Sequence, residues 1–194
     1  MLKFMERIAR LMAIFGGIVL TVLVILTCLS ILGRSLNSIG HSEMLTGLSQ
    51  GLADLLLATG VGPINGDFEL VEAGVAFSIF AFLPVCQLYS GHATVDVFTS
   101  FMSDRVNKIL ITFWEVVLSA VILLITARLY EGMMSKLGNG ETTFLLQFPI
   151  WWAYALSFVG AVVASIVAIY CAIARVLELI TGRKYLPLSE GAVH

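Results

Sequence analysis

Long apolar runs alternate with polar segments along this chain, and the lengths of those runs set the first prediction. Four runs are predominantly apolar, over residues 11–33, 71–91, 109–128 and 149–174. A helix needs about 20 such residues to cross the hydrocarbon core of a bilayer. The pattern therefore predicts an all-α integral membrane protein in which residues 1–194 form one domain of four transmembrane helices.

The composition agrees with a membrane protein. Hydrophobic residues make up 59% of the 194 residues and charged residues 12%, whereas an ordinary soluble domain has about 25% charged residues. The net charge of -2 argues against nucleic-acid binding, which needs a basic face. The first apolar run is too long for the hydrophobic part of a signal peptide, so we expect an uncleaved anchor.

Lysine and arginine are distributed unevenly between the two sides of the predicted spans, and this predicts their direction. Such residues mark the cytoplasmic side of a membrane protein. Eight lie at one side, namely Lys3, Arg7, Arg10, Arg105, Lys108, Arg175, Arg183 and Lys184. The other side has three, Arg34, Arg128 and Lys136. We therefore expect both termini to be cytoplasmic.

The longest predicted loop, residues 34–69, lies on the outer side and forms an insertion between the first two spans. Inside it, residues 43–57 carry leucines at 45, 48, 52 and 55, a spacing that places them on one face of a helix. This segment is predicted to be an amphipathic helix. The pattern leaves open whether its apolar face meets lipid or a partner protein.

Ionisable residues within or beside the spans are functional candidates, because burying a charge in a membrane is costly. Glu115 lies in the third span, about two turns from its cytoplasmic end, where a basic neighbour or a second protein could neutralise it. Arg34 closes the first span and Glu72 opens the second. We expect these two at one depth, as a structural ion pair or as a docking contact.

Several function classes lack the residues they need. The three cysteines, Cys28, Cys86 and Cys171, form no CxxC pair, so a thiol oxidoreductase is nearly excluded. The three histidines lie outside the spans, where they cannot be axial haem ligands. The span centres lack the polar groups of a transport path. We therefore expect a chain that is not an enzyme, binds no metal or cofactor, and transports nothing by itself.

The segment "LYSGHATVDVF" marks the end of the second span. Gly91 fits a left-handed helix terminus, and His92 and Asp96 are four residues apart, so they could share one helix face. Two such ligands are too few for a stable metal site. The pattern predicts a turn at the inner face of the membrane.

Within that segment, "GHATVDVF" resembles the G-H-x-x-V-D segment of the small membrane subunit of tripartite ATP-independent periplasmic (TRAP) transporters, the DctQ family. Arg34 after the first span is similar to an arginine common in that family, and Glu69 or Glu72 corresponds to its acidic residue at the second span. The start of the fourth helix also resembles the family pattern, with Gly140, Thr142 or Thr143, Pro149, Trp151 and Tyr154. The resemblance covers residues from about 12 to 175.

The resemblance implies a four-helix scaffold in a bacterial inner membrane. Its partners would be a large membrane subunit, which carries the sodium and solute sites, and a periplasmic binding protein for organic acids, which docks transiently. Residues near the outer surface would then be candidates for the subunit or binding-protein interface: Arg34, Glu69, Glu72, Arg128 and Glu131. The long first outer loop departs from the family pattern.

Two other function classes stay open at this point. One is the membrane-anchor subunit of an oxidoreductase complex, which would show a haem or other cofactor absorbance. The other is a small channel or exporter built from several copies of this chain, which would transport alone in liposomes. The scaffold interpretation explains best why the four apolar spans carry no chemistry at their centres.

Overall fold

A computed structural model describes residues 1–42, 51, 62–89, 104–183 and 185–186. The described residues form four helices, α1 (Leu2–Gly40), α2 (Asp67–Leu88), α3 (Asp104–Asn139) and α4 (Trp151–Thr181). All four are long and apolar enough to cross a membrane. The predicted all-α class with four such helices is therefore confirmed. The predicted amphipathic segment 43–57 lies outside the described residues, apart from Gly51, and stays a prediction.

The helices do not end where the apolar runs end. α1 continues through the polar residues after residue 33 to Gly40, and α3 continues to Asn139, because nothing in either stretch breaks a helix. α3 stops before Gly140, which has a positive φ of 63°. α4 begins at Trp151 rather than at 149, because the preceding residues pair with each other in the loop between α3 and α4.

α1 and α2 are antiparallel neighbours. Gly16 faces Ala81 across the contact, and further along the pair Leu23 faces Gly74. The fully or nearly buried residues of α1 include Ala9, Gly16, Leu23 and Ser30, which repeat every seventh position. A seven-residue repeat keeps one narrow line of a helix against its partner, so most of the α1 surface is left outside the contact.

α4 is the central helix. It packs against both α2 and α3, while α1 reaches it only briefly. Nearly half of its most apolar stretch, 44%, is buried, against 11–17% for the other three helices. Its buried positions are mostly Gly, Ala and Ser, and such small residues let membrane helices approach closely. At Gly160, for example, an added Cβ would lie 3.0 Å from Cβ of Phe80 in α2.

The helix directions give the bundle two distinct ends. α2 and α4 run parallel, since Gly160 faces Phe80 and the later residue Val167 clusters with Leu88. We call the end where Met5, Leu88 and Ala174 cluster the terminal end, because α1 begins there and α4 ends there. The opposite end, where α2 and α4 begin, is called the loop end.

Candidate functional site

A polar cluster joins α1 to the start of α2 at the loop end. The Ser30 hydroxyl donates a hydrogen bond to the Asp67 carboxylate and accepts one from the N–H of Ile64. Arg34 Nη2 lies 3.6 Å from Asp67 Oδ2. The side chain of Arg34 is 63% exposed, so its guanidinium can still meet another molecule.

Of the two interpretations of Arg34 and Glu72, the ion pair is wrong, because Arg34 pairs with Asp67 instead; the docking contact stays a prediction. The two acids are five residues apart, and at 3.6 residues per turn they point about 140° apart around the helix. Only one of them can face α1. Asp67 follows Gly66, whose φ is 78°, and this turn brings the first residue of α2 against α1.

Glu69 fastens the loop between α3 and α4 to the start of α2. Its two carboxylate oxygens accept hydrogen bonds from the backbone N–H groups of Leu145 (2.7 Å) and Leu146 (2.9 Å). The side chain of Leu146 lies over Gly66: a Cβ added at Gly66 would be 2.4 Å from Cγ of Leu146. Glu72, one turn further along, is exposed and forms no such bond. The two acids that the sequence could not distinguish therefore have different environments.

The loop itself is a short paired structure that leads into α4. Thr142 and Pro149 form an isolated antiparallel bridge, and the N–H of Ile150 bonds to the carbonyl of Glu141 at 3.0 Å. Pro149 therefore lies before the helix, and Trp151 is its first residue. Tyr154, one turn on, packs against Gly132 of α3, so the predicted start of the fourth helix contacts α3.

An ion pair anchors the same loop to the end of α3. Lys136 donates a hydrogen bond to the Glu141 carboxylate, and Asn139 Nδ2 donates to the other oxygen at 3.3 Å. These hydrogen bonds, from Lys136 and then Asn139, hold the pKa of Glu141 below its usual value of 4.5. The sequence pattern did not single out this pair.

Arg128 and Glu131 pair with each other on the surface of α3. Arg128 Nη1 lies 2.7 Å from Glu131 Oε2, and both side chains are exposed. Because α3 continues to Asn139, the two residues lie within a helix rather than in a loop. They are available to a partner, although the structure does not bring them into contact with Arg34 or Glu69.

Glu115 lies at the terminal end and is 5% exposed. The Gln87 side-chain amide of α2 donates a 2.7 Å hydrogen bond to its carboxylate. The Ser119 hydroxyl, one turn along α3, donates to the carbonyl of Ala168 in α4 at 3.0 Å. The expected basic neighbour is Arg175, which attracts Glu115 electrostatically. This polar contact therefore ties α2, α3 and α4 together.

Arg175 also takes part in a second contact that the sequence pattern did not single out. Its Nη1 lies 2.9 Å from Glu178 Oε2, and both side chains are largely buried. Glu178 in turn accepts hydrogen bonds from the N–H groups of Tyr185 (2.6 Å) and Leu186 (2.9 Å). The chain after α4 is thereby folded back against the helix, with Leu186 buried beside Met5.

The predicted inner-face turn at Gly91, His92 and Asp96 lies outside the described residues and stays a prediction. α2 ends at Leu88, and Tyr89 is its C-terminal cap. Among the residues that are described, no three His, Cys, Asp or Glu side chains come together as metal ligands. The functional candidates of the described part are therefore the loop-end surface and the polar contact at Gln87 and Glu115.

Comparison with known protein families identifies a match for most of the chain. The family described as "Tripartite ATP-independent periplasmic transporters, DctQ component" matches residues 51–179, which include α2, α3 and nearly all of α4. No curated protein matches the chain, and no solved structure matches it.

Proposed function

Because this chain belongs to the DctQ family of TRAP transporter components, we propose that it is the small scaffold subunit of a binding-protein-dependent secondary transporter. It would brace the large membrane subunit and help to dock the periplasmic binding protein. A TRAP transporter component with four helices long enough to span a membrane is a multi-pass membrane protein. The sodium gradient as driving force and organic acids as solutes are expectations from the resemblance.

The surface of α1 is the observation that carries the bracing role. α1 buries one narrow line of residues against α2, while large apolar side chains on its other faces remain exposed, among them Phe15, Ile18 and Leu29. A helix that contacts its own chain so little needs lipid or another protein around it. A large subunit seated along α1 would fit this wide apolar surface.

The polar groups inside the described bundle support a scaffold rather than a transport path. A path needs polar groups that line a cavity near the membrane centre. Here the buried hydroxyls mostly bond between helices: Thr126 Oγ1 of α3 lies 2.8 Å from Ser165 Oγ of α4, and Ser78 Oγ of α2 lies 3.3 Å from the carbonyl oxygen of Gly16 in α1. Such bonds join helices and leave those groups unavailable to a passing solute.

The loop end is the proposed docking surface for the binding protein. It presents the exposed guanidinium of Arg34 and the exposed carboxylate of Glu72, and the Arg128–Glu131 pair lies on the adjoining surface of α3. Charged groups of both signs can guide a partner protein into one orientation. Both termini would be cytoplasmic, so that the loop end faces the periplasm, as the lysine and arginine distribution predicts.

A mild-detergent pull-down of the tagged chain from its native membrane, with mass spectrometry of the captured proteins, tests this proposal. We expect a stoichiometric large subunit with many spans. The pair, reconstituted in liposomes with its binding protein and a sodium gradient, should then take up an organic acid. Capture with a flavin or iron–sulfur subunit would instead indicate an oxidoreductase anchor. Transport by this chain alone would indicate a homo-oligomeric channel or exporter.

A further inference from the structure

A cavity of about 340 Å³ lies between α2, α3 and α4 at the loop end. Glu72, Ala76 and Phe80 of α2 form one wall, Leu129 of α3 another, and Tyr154 and Ser157 of α4 a third. The cavity is also lined by Glu69 of α2 and by Thr143, Phe148 and Ile150 of the loop before α4. α2 and α3 meet at the terminal end, through Gln87 and Glu115, and the cavity occupies the space between them at the other end. Its volume lies within the range of small-molecule sites, roughly 300–1,000 Å³.

Ser157 is the first sign that this cavity holds a ligand. Its side chain is 2% exposed, and its hydroxyl has no hydrogen-bond partner within the described structure. A serine in a helix commonly bonds to the carbonyl four residues earlier, as Ser78 does with Gly74. Leaving a buried polar group unpaired is costly. A ligand atom in the cavity that accepts a hydrogen bond would satisfy the hydroxyl.

Glu72 is the second sign, and it is independent of the first. Glu72 lines the cavity, its side chain is exposed, and it forms no hydrogen bond or ion pair with other described residues. The neighbouring acids Asp67 and Glu69 are bonded to Ser30 and to the loop, respectively. An unpaired carboxylate within the first two turns of a membrane-spanning helix lies close to the depth of lipid head groups, where a cation is its natural partner.

The two polar groups stand at different depths. Because Gly160 of α4 lies against Phe80 of α2 and the helices are parallel, Ser157 is level with residue 77. Ser157 is therefore about five residues deeper than Glu72, or roughly 7.5 Å at 1.5 Å per residue. On α2 the wall below Glu72 is apolar, with Ala76 and Phe80, while Tyr154 of α4 lines the cavity between the two levels. The order from the loop end inward is anion, hydroxyl donor, then hydrocarbon surface.

We propose that this cavity binds a membrane phospholipid whose head group carries a primary ammonium. The ammonium donates hydrogen bonds to the Glu72 carboxylate, and the Ser157 hydroxyl donates to an ester carbonyl, which in such a lipid lies below the head group. An acyl chain follows Phe80 into the bilayer between α2 and α3. A lipid with a net negative head group is disfavoured by Glu72, and a quaternary ammonium has no N–H to donate.

This inference does not depend on the role of the chain in transport. Its failure would leave the proposed scaffold function unchanged, because lipid binding and capture of a large subunit are measured separately. The rival occupant is a side chain of a partner protein that reaches into the cavity from outside.

Lipid exchange into the purified full chain tests the proposal. Delipidated protein is mixed with vesicles of phosphatidylethanolamine, phosphatidylcholine or phosphatidylglycerol of matched acyl chains, and retained lipid is counted by native mass spectrometry. We expect one phosphatidylethanolamine per chain, retained roughly tenfold more strongly than the other two. Equal retention of all three lipids would overturn the ammonium assignment.

Two variants locate the site, and one matched variant serves as control. Glu72→Gln should remove the preference for phosphatidylethanolamine over phosphatidylcholine, and Ser157→Ala should weaken retention of both lipids by roughly threefold. Glu131→Gln makes the same charge change at an acid that pairs with Arg128 outside the cavity. This variant should therefore retain each lipid as strongly as the parent chain does. Unchanged lipid selectivity in Glu72→Gln would exclude this carboxylate as the ammonium acceptor.

Photo-crosslinking in the native membrane distinguishes a lipid from a partner protein. A small diazirine amino acid in place of Ala76 lies against the apolar wall of the cavity. We expect adducts with the mass of phosphatidylethanolamine on the peptide that contains residue 76. A crosslink to another protein at this position would show that a subunit fills the cavity, and the lipid proposal would then be wrong.

Discussion

Gln87 provides the hydrogen bond that allows the Glu115 carboxylate to be buried at the terminal end. Glu115 is 5% exposed and Gln87 1% exposed, and the amide donates directly to the carboxylate. A charged group in a membrane bundle must be satisfied by neighbours because lipid cannot hydrate it. The pair therefore acts as a specific polar contact between α2 and α3, two helices that otherwise hardly touch.

Gln87→Leu should destabilise the protein because it leaves Glu115 without its hydrogen-bond donor. We expect a loss of about 1–3 kcal/mol in unfolding free energy, measured by thermal or denaturant unfolding in one detergent. Glu115→Gln is the matched comparison, since an amide at 115 can still accept from Gln87. If Gln87→Leu unfolds like the parent chain, the contact does not stabilise the bundle.

Glu69 has a different role at the residue scale, since it holds backbone rather than another side chain. In Glu69→Ala the N–H groups of Leu145 and Leu146 lose their acceptor. We expect faster hydrogen–deuterium exchange in peptides covering residues 143–148, with α4 unchanged. Glu131→Ala is the control, since it removes an acid that pairs with Arg128 on the surface of α3, and exchange in the loop should then stay as in the parent chain. Faster exchange in both variants would argue against a specific clamp.

At the scale of helices, α1 and α2 depend on small residues along one line. A Cβ added at Gly16 would lie 2.8 Å from Cβ of Ala81, whereas a Cβ added at Gly17 would have no neighbouring atom within 4 Å. Two adjacent glycines therefore differ completely in their surroundings. The sequence gives no reason to distinguish them, because both lie in one apolar run.

Gly16→Val should force α1 away from α2 and lower the unfolding free energy by about 1–3 kcal/mol. Gly17→Val adds the same side chain on the open face and should have no such effect, with a small gain from higher helix propensity. Thermal unfolding of both variants in the same detergent makes the comparison. Equal destabilisation by the two substitutions would contradict the assigned face of α1.

At the scale of elements, the loop between α3 and α4 should make the stability of the fold depend on pH. The pKa of Glu141 is lowered by hydrogen bonds from Lys136 and Asn139, so its stabilising contribution is present above 4.5 and is lost as the pH falls through the lowered value. At pH 7 we expect the parent chain to have a higher melting temperature than the Glu141→Gln variant. This difference should shrink steadily below pH 4.5. A difference that is constant with pH would show that the carboxylate charge is not involved.

The helices could be predicted from the sequence far better than their contacts. Runs of about 20 apolar residues indicate a span whatever surrounds them, but apolar side chains on every face give no sign of which face is buried. The choice between Asp67 and Glu72 as the partner of Arg34 depends on that rotation. Gln87 could have been recognised as the one amide in an apolar run, yet its pairing with Glu115 needs the crossing of α2 and α3.

At the scale of the whole molecule, the proposed interfaces lie on different surfaces. The apolar side of α1 is proposed to meet the large subunit, while the loop end is proposed to meet the binding protein. A substitution at the loop end can therefore weaken docking without preventing assembly. Arg34 is the best position for such a test, because it lies at the loop end, where the contact between α1 and α2 stops, and its guanidinium is exposed.

Arg34→Gln removes this charge without placing a second anion beside Asp67. We expect unchanged co-purification with the large subunit, and a roughly twofold to fivefold rise in the binding-protein concentration that gives half-maximal uptake in liposomes. The effect should shrink at high salt, since exposed charges are screened there. Arg183→Gln, an equal charge change at the terminal end, should not alter uptake. If Arg34→Gln behaves like Arg183→Gln at low salt, the binding protein docks without Arg34, and Glu72 and the Arg128–Glu131 pair become the remaining candidates.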